Sequence, residues 1–276
     1  MSMPRILTAG IDLSVGSMLA MCGMLGSLGM LFAAGGTWNA ISGGSFIDMG
    51  WISMLLGTCL GIGFGALCGF LNGMCITKLK LAPFIVTLGS MSIFRGISYL
   101  INDGKPFAVS SYTFLDTGSI LGIPSAVVLL VLVLALSGFL LRYTAFGRYT
   151  YAIGSNVQTA FHAGINVSKM LVLIYTFAGA LTGLAAMITT SRASSAQPSA
   201  GIGLELDIIA AVIIGGCSPS GGRGTMTGTL IGTLLISFLR NGLTLLDIST
   251  NVQLVVIGLI IVFAVTADQF ATRREA

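Results

Sequence analysis

Charge is what this sequence has least of. Its 276 residues include thirteen basic and nine acidic side chains, 8% of the chain, whereas a water-soluble domain carries about a quarter. The charges are clustered, so long stretches have none: residues 13–47, 49–77, 117–141, 170–191 and 248–267. A helix needs about 20 mostly apolar residues to cross the hydrocarbon core of a bilayer. The scarcity of charge therefore excludes an ordinary soluble domain and predicts an all-α, polytopic bundle of membrane helices.

Residues typical of catalytic and metal sites are also scarce. The one histidine, His162, leaves no set for a catalytic triad or a metal site inside the apolar segments. The five cysteines contain no Cys-x-x-Cys pair, which argues against a zinc site or a disulfide framework. No Gly-x-x-x-x-Gly-Lys-[Ser/Thr] motif occurs, so the chain does not bind ATP through a P-loop. We expect neither a metal nor a cofactor in this chain, and no nucleic-acid partner.

The apolar residues are grouped into eight predicted segments. The sixth is short, which indicates a half-helix or a tilted, broken span. The segments are residues 6–34, 51–77, 83–101, 117–141, 170–191, 206–217, 225–246 and 249–267.

The basic residues predict an orientation, because cytoplasmic loops carry an excess of Lys and Arg. With a cytoplasmic N-terminus, nine basic residues face the cytoplasm and three face outward, so both termini are predicted to be cytoplasmic. The inside set is Arg5, Lys78, Lys80, Arg142, Arg148, Lys169, Arg223, Arg273 and Arg274, and the outside set is Lys105, Arg192 and Arg240.

Glycines recur every four residues in two of the segments. Residues i and i+4 share a helix face, so each series predicts a groove for a closely packed neighbouring helix rather than a substrate contact. The second segment contains Gly57, Gly61, Gly65, Gly69 and Gly73, and Gly224, Gly228 and Gly232 repeat the spacing at the start of the seventh.

A few polar residues lie within or beside the apolar segments. Asp12 and Ser14, flanked by Gly10 and Gly16, indicate either a broken helix that lines a pathway or gate, or a helix cap at the membrane interface. Arg95 is expected to face the bundle interior or to pair with a carboxylate.

Acidic residues open the sixth segment, where Glu205 and Asp207 suit either a helix N-terminus or a substrate contact. The glycine-rich run at 215–224 that follows predicts a sharp turn on the cytoplasmic side. The longest inside loop, 142–169, is polar, which leaves two interpretations: a plain connector or a docking element for a cytoplasmic partner.

Several of these motifs, in this order, resemble the permeases of ribose-type ABC importers. The resemblance runs from about residue 6 to 268. Its motifs are residues 10–17 (Gly-Ile-Asp-Leu-Ser-Val-Gly-Ser), 83–89 (Pro-Phe-Ile-Val-Thr-Leu-Gly), 94–96 (Phe-Arg-Gly), 147–156 (Gly-Arg-Tyr-Thr-Tyr-Ala-Ile-Gly-Ser-Asn), Glu205 to Asp207, and 220–225 (Ser-Gly-Gly-Arg-Gly-Thr).

The resemblance implies a permease subunit, and not an enzyme, in the inner membrane of a bacterium. Such a subunit forms the pathway for a monosaccharide or related small polyol. Its implied partners are a second permease, identical or homologous, two ATPase subunits that bind ATP and Mg²⁺, and a periplasmic sugar-binding protein. The whole chain, 1–276, would be one permease domain that contains the coupling loop 142–169.

The resemblance also assigns residues to roles. It implies a coupling helix near 156–164, with Asn156, Gln158, His162 and Gly164 as candidates for docking the ATPase. In the 83–89 motif, Phe84 and Thr87 join Asp12, Ser14, Arg95, Glu205 and Asp207 as pathway or gate candidates.

The family carries further hydrophobic sequence before the block at residue 10, and its fold has about ten spans. We therefore expect this chain to lack the family's first hydrophobic segment. An alternative function is a self-contained secondary transporter that uses Asp12, Glu205 or Asp207 to bind a proton or sodium ion. It would need paired broken helices in two repeated halves, and no convincing internal repeat is visible. An intramembrane enzyme is the third alternative.

Overall fold

The computed structural model describes residues 10–43, 47, 49–109, 111–120, 122–218 and 221–275. Most of these residues form helices and few form strands, so the expected all-α class is confirmed. The helices are α1 (Val15–Ala33), α2 (Trp38–Ser42), α3 (Trp51–Lys78), α4 (Pro83–Leu100), α5 (Phe114–Thr117), α6 (Ser125–Tyr143), α7 (Ala145–Ser155), α8 (Val157–His162), α9 (Val167–Ala193), α10 (Leu204–Ile214), α11 (Met226–Leu245) and α12 (Thr250–Glu275). Four two-residue strands accompany them: β1 (Phe107–Ala108), β2 (Ser119–Ile120), β3 (Ile123–Pro124) and β4 (Ser195–Ala196).

Among the described residues, five helices are long and apolar enough to cross a membrane: α1, α3, α6, α9 and α11. The eight predicted segments correspond to these five helices together with α4, α10 and α12. The short sixth segment is an 11-residue helix, α10. Residues 6–9 of the first segment, together with Arg5 and Ser220, lie outside the described residues.

The fourth segment begins later than predicted. Residues 119–120 and 123–124, which the charge pattern assigns to this segment, form the paired strands β2 and β3, with Ser119 opposite Pro124 and Ile120 opposite Ile123. Gly122 supplies the left-handed turn, with φ +80°. The absence of charge therefore does not separate a span from the apolar hairpin that precedes it.

The chain divides into two compact units. The first comprises residues 13–136 and 171–202, and the second comprises 137–170 and 203–275 together with 10–12.

In the first unit, the glycine face of α3 lies against two neighbours. Gly57 contacts Met30 and the Gly26 carbonyl of α1, while Gly65 contacts the backbone of Gly179 and Gly183 in α9. A Cβ at these positions would overlap backbone atoms, so the missing side chains allow the close approach that the i, i+4 spacing predicts.

An apolar cluster lies at one end of the first unit. Met24, Met30 and Leu31 of α1 pack there with Phe107 of β1 and Ala196 of β4. The two strands form an antiparallel pair, Phe107 opposite Ala196. The cluster therefore fixes the chain that leaves α9 against the side of α1.

In the second unit, α10, α11 and α12 share a core of Ala210, Ala211, Ile236 and Ile257. Gly228 and Gly232 of α11 contact the backbone of Gly215 and Ala211. The α11 glycines thus meet α10 as closely as the α3 glycines meet α9.

Candidate functional site

Two short helices form an elbow between α6 and α9. We call residues 145–164 the α7–α8 elbow. Asn156 ends α7 and caps α8, because its Oδ1 accepts hydrogen bonds from the backbone N–H groups of Gln158 and Thr159 at 2.9 and 3.0 Å. Helix α8 ends two residues before Gly164, whose φ of +81° is left-handed.

All four predicted docking residues, Asn156, Gln158, His162 and Gly164, are exposed on this elbow. Two apolar side chains that sequence reasoning did not single out accompany them. Val157 is 51% exposed and Phe161 is 66% exposed. The elbow therefore presents a mixed surface, with apolar side chains among hydrogen-bonding ones.

The glycine-rich turn after α10 supports the elbow. The Tyr151 hydroxyl donates to the Gly224 carbonyl oxygen at 2.8 Å, and a Cβ at Gly222 would lie 2.9 Å from the Ser155 Cα. Burial raises the pKa of the Tyr151 phenol, so it stays protonated and can donate. The elbow and the residues that lead into α11 are therefore joined by direct contacts.

The block before α1 is non-helical over residues 10–14, and Asp12 and Ser14 are both buried. Asn72 of α3 donates from Nδ2 to Ser14 Oγ at 3.1 Å, and Ser17 Oγ donates to the Ser14 carbonyl at 2.9 Å. In this geometry the Ser14 hydroxyl ties the start of α1 to α3.

Arg95 faces the interior of the first unit. Its Nη1 donates at 2.8 Å to the carbonyl oxygens of both Pro198 and Ala200, and Ser98 Oγ donates to Pro198 at 3.2 Å. The sequence predicted the interior position but not these carbonyl partners. Of the neighbouring candidates on α4, Thr87 is buried and Phe84 is 53% exposed.

The acidic residues of α10 lie in its first turn. Arg240 of α11 donates to Asp207 Oδ1 at 2.9 Å, and Glu205 is buried. Arg240, which was assigned to the outer side, lies within α11 as the ion partner of Asp207, a pairing that the sequence did not predict. The pathway or gate candidates thus divide between the units: Ser14, Phe84, Thr87 and Arg95 lie in the first, and Asp12, Glu205 and Asp207 in the second.

Sequence reasoning missed the residues that follow α9. Residues 194–202, which we call the re-entrant segment, leave α9 without helical structure and wall a cavity of about 160 Å³ inside the first unit. Helices α1 and α9 form its other walls. The signal in the sequence was the run Gln-Pro-Ser-Ala-Gly at 197–201, which resists helix formation between two apolar segments.

Known proteins match nearly the whole chain. The Bacillus subtilis ribose import permease protein RbsC is 46% identical over 268 residues, 96% of this chain and 78% of that protein. The Escherichia coli D-allose transport system permease protein AlsC is 37% identical, over 97% of this chain and 78% of that protein. The Rhizobium meliloti fructose import permease protein FrcC is 34% identical, over 98% and 73%. No solved structure matches.

A family model also matches most of the chain. It matches residues 1–265, a span that includes the first unit, most of the second, the elbow and the re-entrant segment. The chain therefore belongs to the family described as the permease component of the branched-chain amino acid transport system, and it is a multi-pass membrane protein.

Proposed function

We propose that this chain is the permease subunit of an ATP-driven ABC importer and forms the pathway for a monosaccharide or related small polyol. One observation carries the proposal: nearly the whole chain matches relatives named for the import of ribose, allose and fructose. The family description names amino acids, but these relatives are named for sugars. We therefore take a monosaccharide as the substrate.

The proposed complex contains two permease subunits, identical or homologous, in a bacterial inner membrane. Two ATPase subunits bind ATP and Mg²⁺, and a periplasmic binding protein delivers the sugar. The chain acts as one permease domain with both termini in the cytoplasm. About eight spans fit the described helices, since α4, α10 and α12 can add to the five long ones.

The α7–α8 elbow is the proposed docking site for the ATPase. Exposed apolar side chains gathered on a short polar element mark a surface that a partner covers. Phe161 and Val157 are such side chains, and Gln158 and His162 add hydrogen-bonding groups beside them. A groove in the ATPase that buries Phe161 would couple nucleotide binding to the elbow.

Pull-down from detergent-solubilised native membranes tests this proposal. The tagged wild type is compared with a Phe161→Asp variant and with Phe114→Asp, which charges a similarly exposed phenylalanine at the start of α5. We expect the wild type and Phe114→Asp to recover an ATPase subunit and Phe161→Asp to lose it. Equal recovery with all three proteins would remove the elbow from the docking site. A well-folded wild type that recovers no ATPase would overturn the importer proposal.

A further inference from the structure

The re-entrant segment runs back along α1 instead of leaving the bundle. Near its beginning, Ala196 packs with Met24 and Met30 of α1. Five residues later, Gly201 lies against Gly16, where an added Cβ would be 2.7 Å from the Gly16 carbonyl oxygen. From Met24 back to Gly16 is about 12 Å along a helix axis. The segment therefore descends antiparallel to α1 to the level at which α1 begins.

Specific contacts keep this irregular, turn-rich backbone in place. The Arg95 guanidinium binds the carbonyls of Pro198 and Ala200, and Gly201 takes a left-handed φ of +70°. Within a bilayer, irregular backbone is tolerated only where protein buries it or where it lines a water-filled cavity. Arg95 and Ser98 of α4 hold one side of the re-entrant segment, and its other side lines the 160 Å³ cavity.

The cavity is lined by apolar residues and glycines together with four neutral side chains that can form hydrogen bonds. Its polar lining consists of Thr189 and Thr190 from α9 with Ser195 and Gln197 from the re-entrant segment. Gln197 donates from Nε2 to Ser195 Oγ at 3.4 Å, and Thr189 Oγ1 donates to the Ala185 carbonyl at 2.8 Å. Hydroxyl and amide groups both donate and accept hydrogen bonds, as sugar hydroxyls do.

Size and charge narrow the choice of ligand. A volume of about 160 Å³ has room for on the order of ten water molecules, which suits a small solute better than a large one. Among the described residues that line the cavity, none is charged. A zwitterionic amino acid would bring two charges to a lining that offers no counter-charge, and partial desolvation of those charges would be unfavourable. A polyol brings none.

We propose that this cavity is a contact site for the transported polyol, with Thr190 and Gln197 as direct contacts and Arg95 as the positioning residue that holds the re-entrant segment. The inference rests on the proposed function and deepens it, because it assigns the substrate to residues outside the motifs of the sequence. The Arg95 candidate thus acts through the segment it binds and not by touching the sugar.

Protection from a thiol reagent tests the site. The complete complex, with its ATPase and binding protein, is reconstituted in vesicles with Gln197→Cys or with the control Lys105→Cys, an exposed loop position outside the cavity. Labelling by a small hydrophilic methanethiosulfonate is followed at each position by mass spectrometry while ATP and D-ribose are present. We expect D-ribose to slow labelling several-fold at position 197 and to leave position 105 unchanged. The same assay is run with D-allose and D-fructose, and equal labelling at 197 with and without a sugar that the complex transports overturns the inference.

Transport kinetics separate a substrate contact from a structural role. Loss of one hydrogen bond to the sugar should lower transport by Gln197→Ala or Thr190→Val about threefold to tenfold. ATP hydrolysis stimulated by the binding protein should stay at the wild-type rate, and Thr190→Ser should restore transport. Wild-type transport by both variants, or parallel losses of transport and ATPase activity, would contradict a substrate contact.

The wild-type complex keeps the two proposals distinct. If it transports D-ribose, D-allose or D-fructose but position 197 ignores the transported sugar, only the cavity assignment fails. If it transports none of the three, the proposed substrate class fails, and the cavity assignment fails with it.

Discussion

Two parts of the first unit approach their neighbours closely, but by different means. Helix α3 meets α9 through bare backbone, since Gly65 and Gly69 of α3 contact Gly179 and Tyr175. The re-entrant segment is instead held against α4 by side chains, with Arg95 and Ser98 donating to its carbonyls. The first contact depends on the absence of side chains and the second on the presence of two.

This difference predicts which of the two contacts stays fixed during transport and which can rearrange. Packed glycine faces have no side chain to rearrange, so α3 and α9 should stay together throughout transport. Hydrogen bonds from one guanidinium can be broken and remade at modest cost, since each contributes only a few kcal/mol. The contact between Arg95 and the re-entrant segment, which walls the cavity, should therefore rearrange more easily than the contact between α3 and α9.

The largest expected effect comes from filling the glycine face. A Cβ at Gly69 would overlap the Tyr175 carbonyl, so Gly69→Leu should destabilise the protein by about 3 kcal/mol or prevent folding. Gly63, on the same helix, has open space around its Cα, and Gly63→Leu is the matched control. Thermal unfolding in detergent and the monodisperse fraction on size-exclusion chromatography measure both variants. Equal stability of the two would refute a packed backbone contact.

The second largest effect should come from Arg95→Ala, which removes two charge-assisted hydrogen bonds to the re-entrant segment. We expect the free energy of local opening at residues 195–202 to fall by about 2–3 kcal/mol. Arg95→Lys should lower this free energy by a smaller amount than Arg95→Ala. A lysine ammonium keeps the charge but lacks the planar, forked guanidinium. Hydrogen exchange measured by mass spectrometry reports this. Faster exchange of α3 as well would show that the α3–α9 contact depends on the Arg95 contact. Arg148→Ala, which removes an exposed arginine, is the control for the loss of charge.

Local periodicity accounts for the parts of the fold that the sequence predicted. Glycines four residues apart mark the packed face of α3 because a helix places them on one side, and the charge-free runs locate the long helices. The late start of α6 was missed because an apolar hairpin has the same composition as a span.

Long-range partners account for most of what was not predicted. Arg95 binds carbonyls about one hundred residues away, and Asp207 pairs with Arg240 across two helices. No local pattern marks such pairs. The candidate cavity escaped for the same reason: its polar residues are ordinary threonine, serine and glutamine, and they become a site only where the re-entrant segment folds back.

A smaller effect is expected from the loss of a single side-chain hydrogen bond in the second unit. Tyr151→Phe removes the hydrogen bond to the Gly224 carbonyl and should cost about 1 kcal/mol, while Tyr149→Phe, an exposed tyrosine of α7, should cost almost nothing. Because burial raises the Tyr151 pKa, this contribution is present below about pH 10 and is lost as the pH rises through the folded-state pKa. Unfolding of both variants from pH 7 to 11 measures it. A difference that grows with pH would contradict the assignment.

The smallest effect should come from the cap of α8. Asn156→Ala leaves the N–H groups of Gln158 and Thr159 without their side-chain acceptor and should weaken this six-residue helix by about 0.5–1 kcal/mol. Asn156→Asp, which still accepts both bonds, should retain the helix. Hydrogen exchange at 157–163 measures the local change, and ATPase pull-down measures its consequence. If Asn156→Ala frays α8 but retains the ATPase, docking depends on exposed side chains such as Phe161. If Asn156→Ala loses the ATPase while Asn156→Asp retains it, docking requires the elbow conformation that the cap stabilises. The Asn156 side chain would then hold the docking surface of the second unit in place, as Arg95 holds the re-entrant segment of the first.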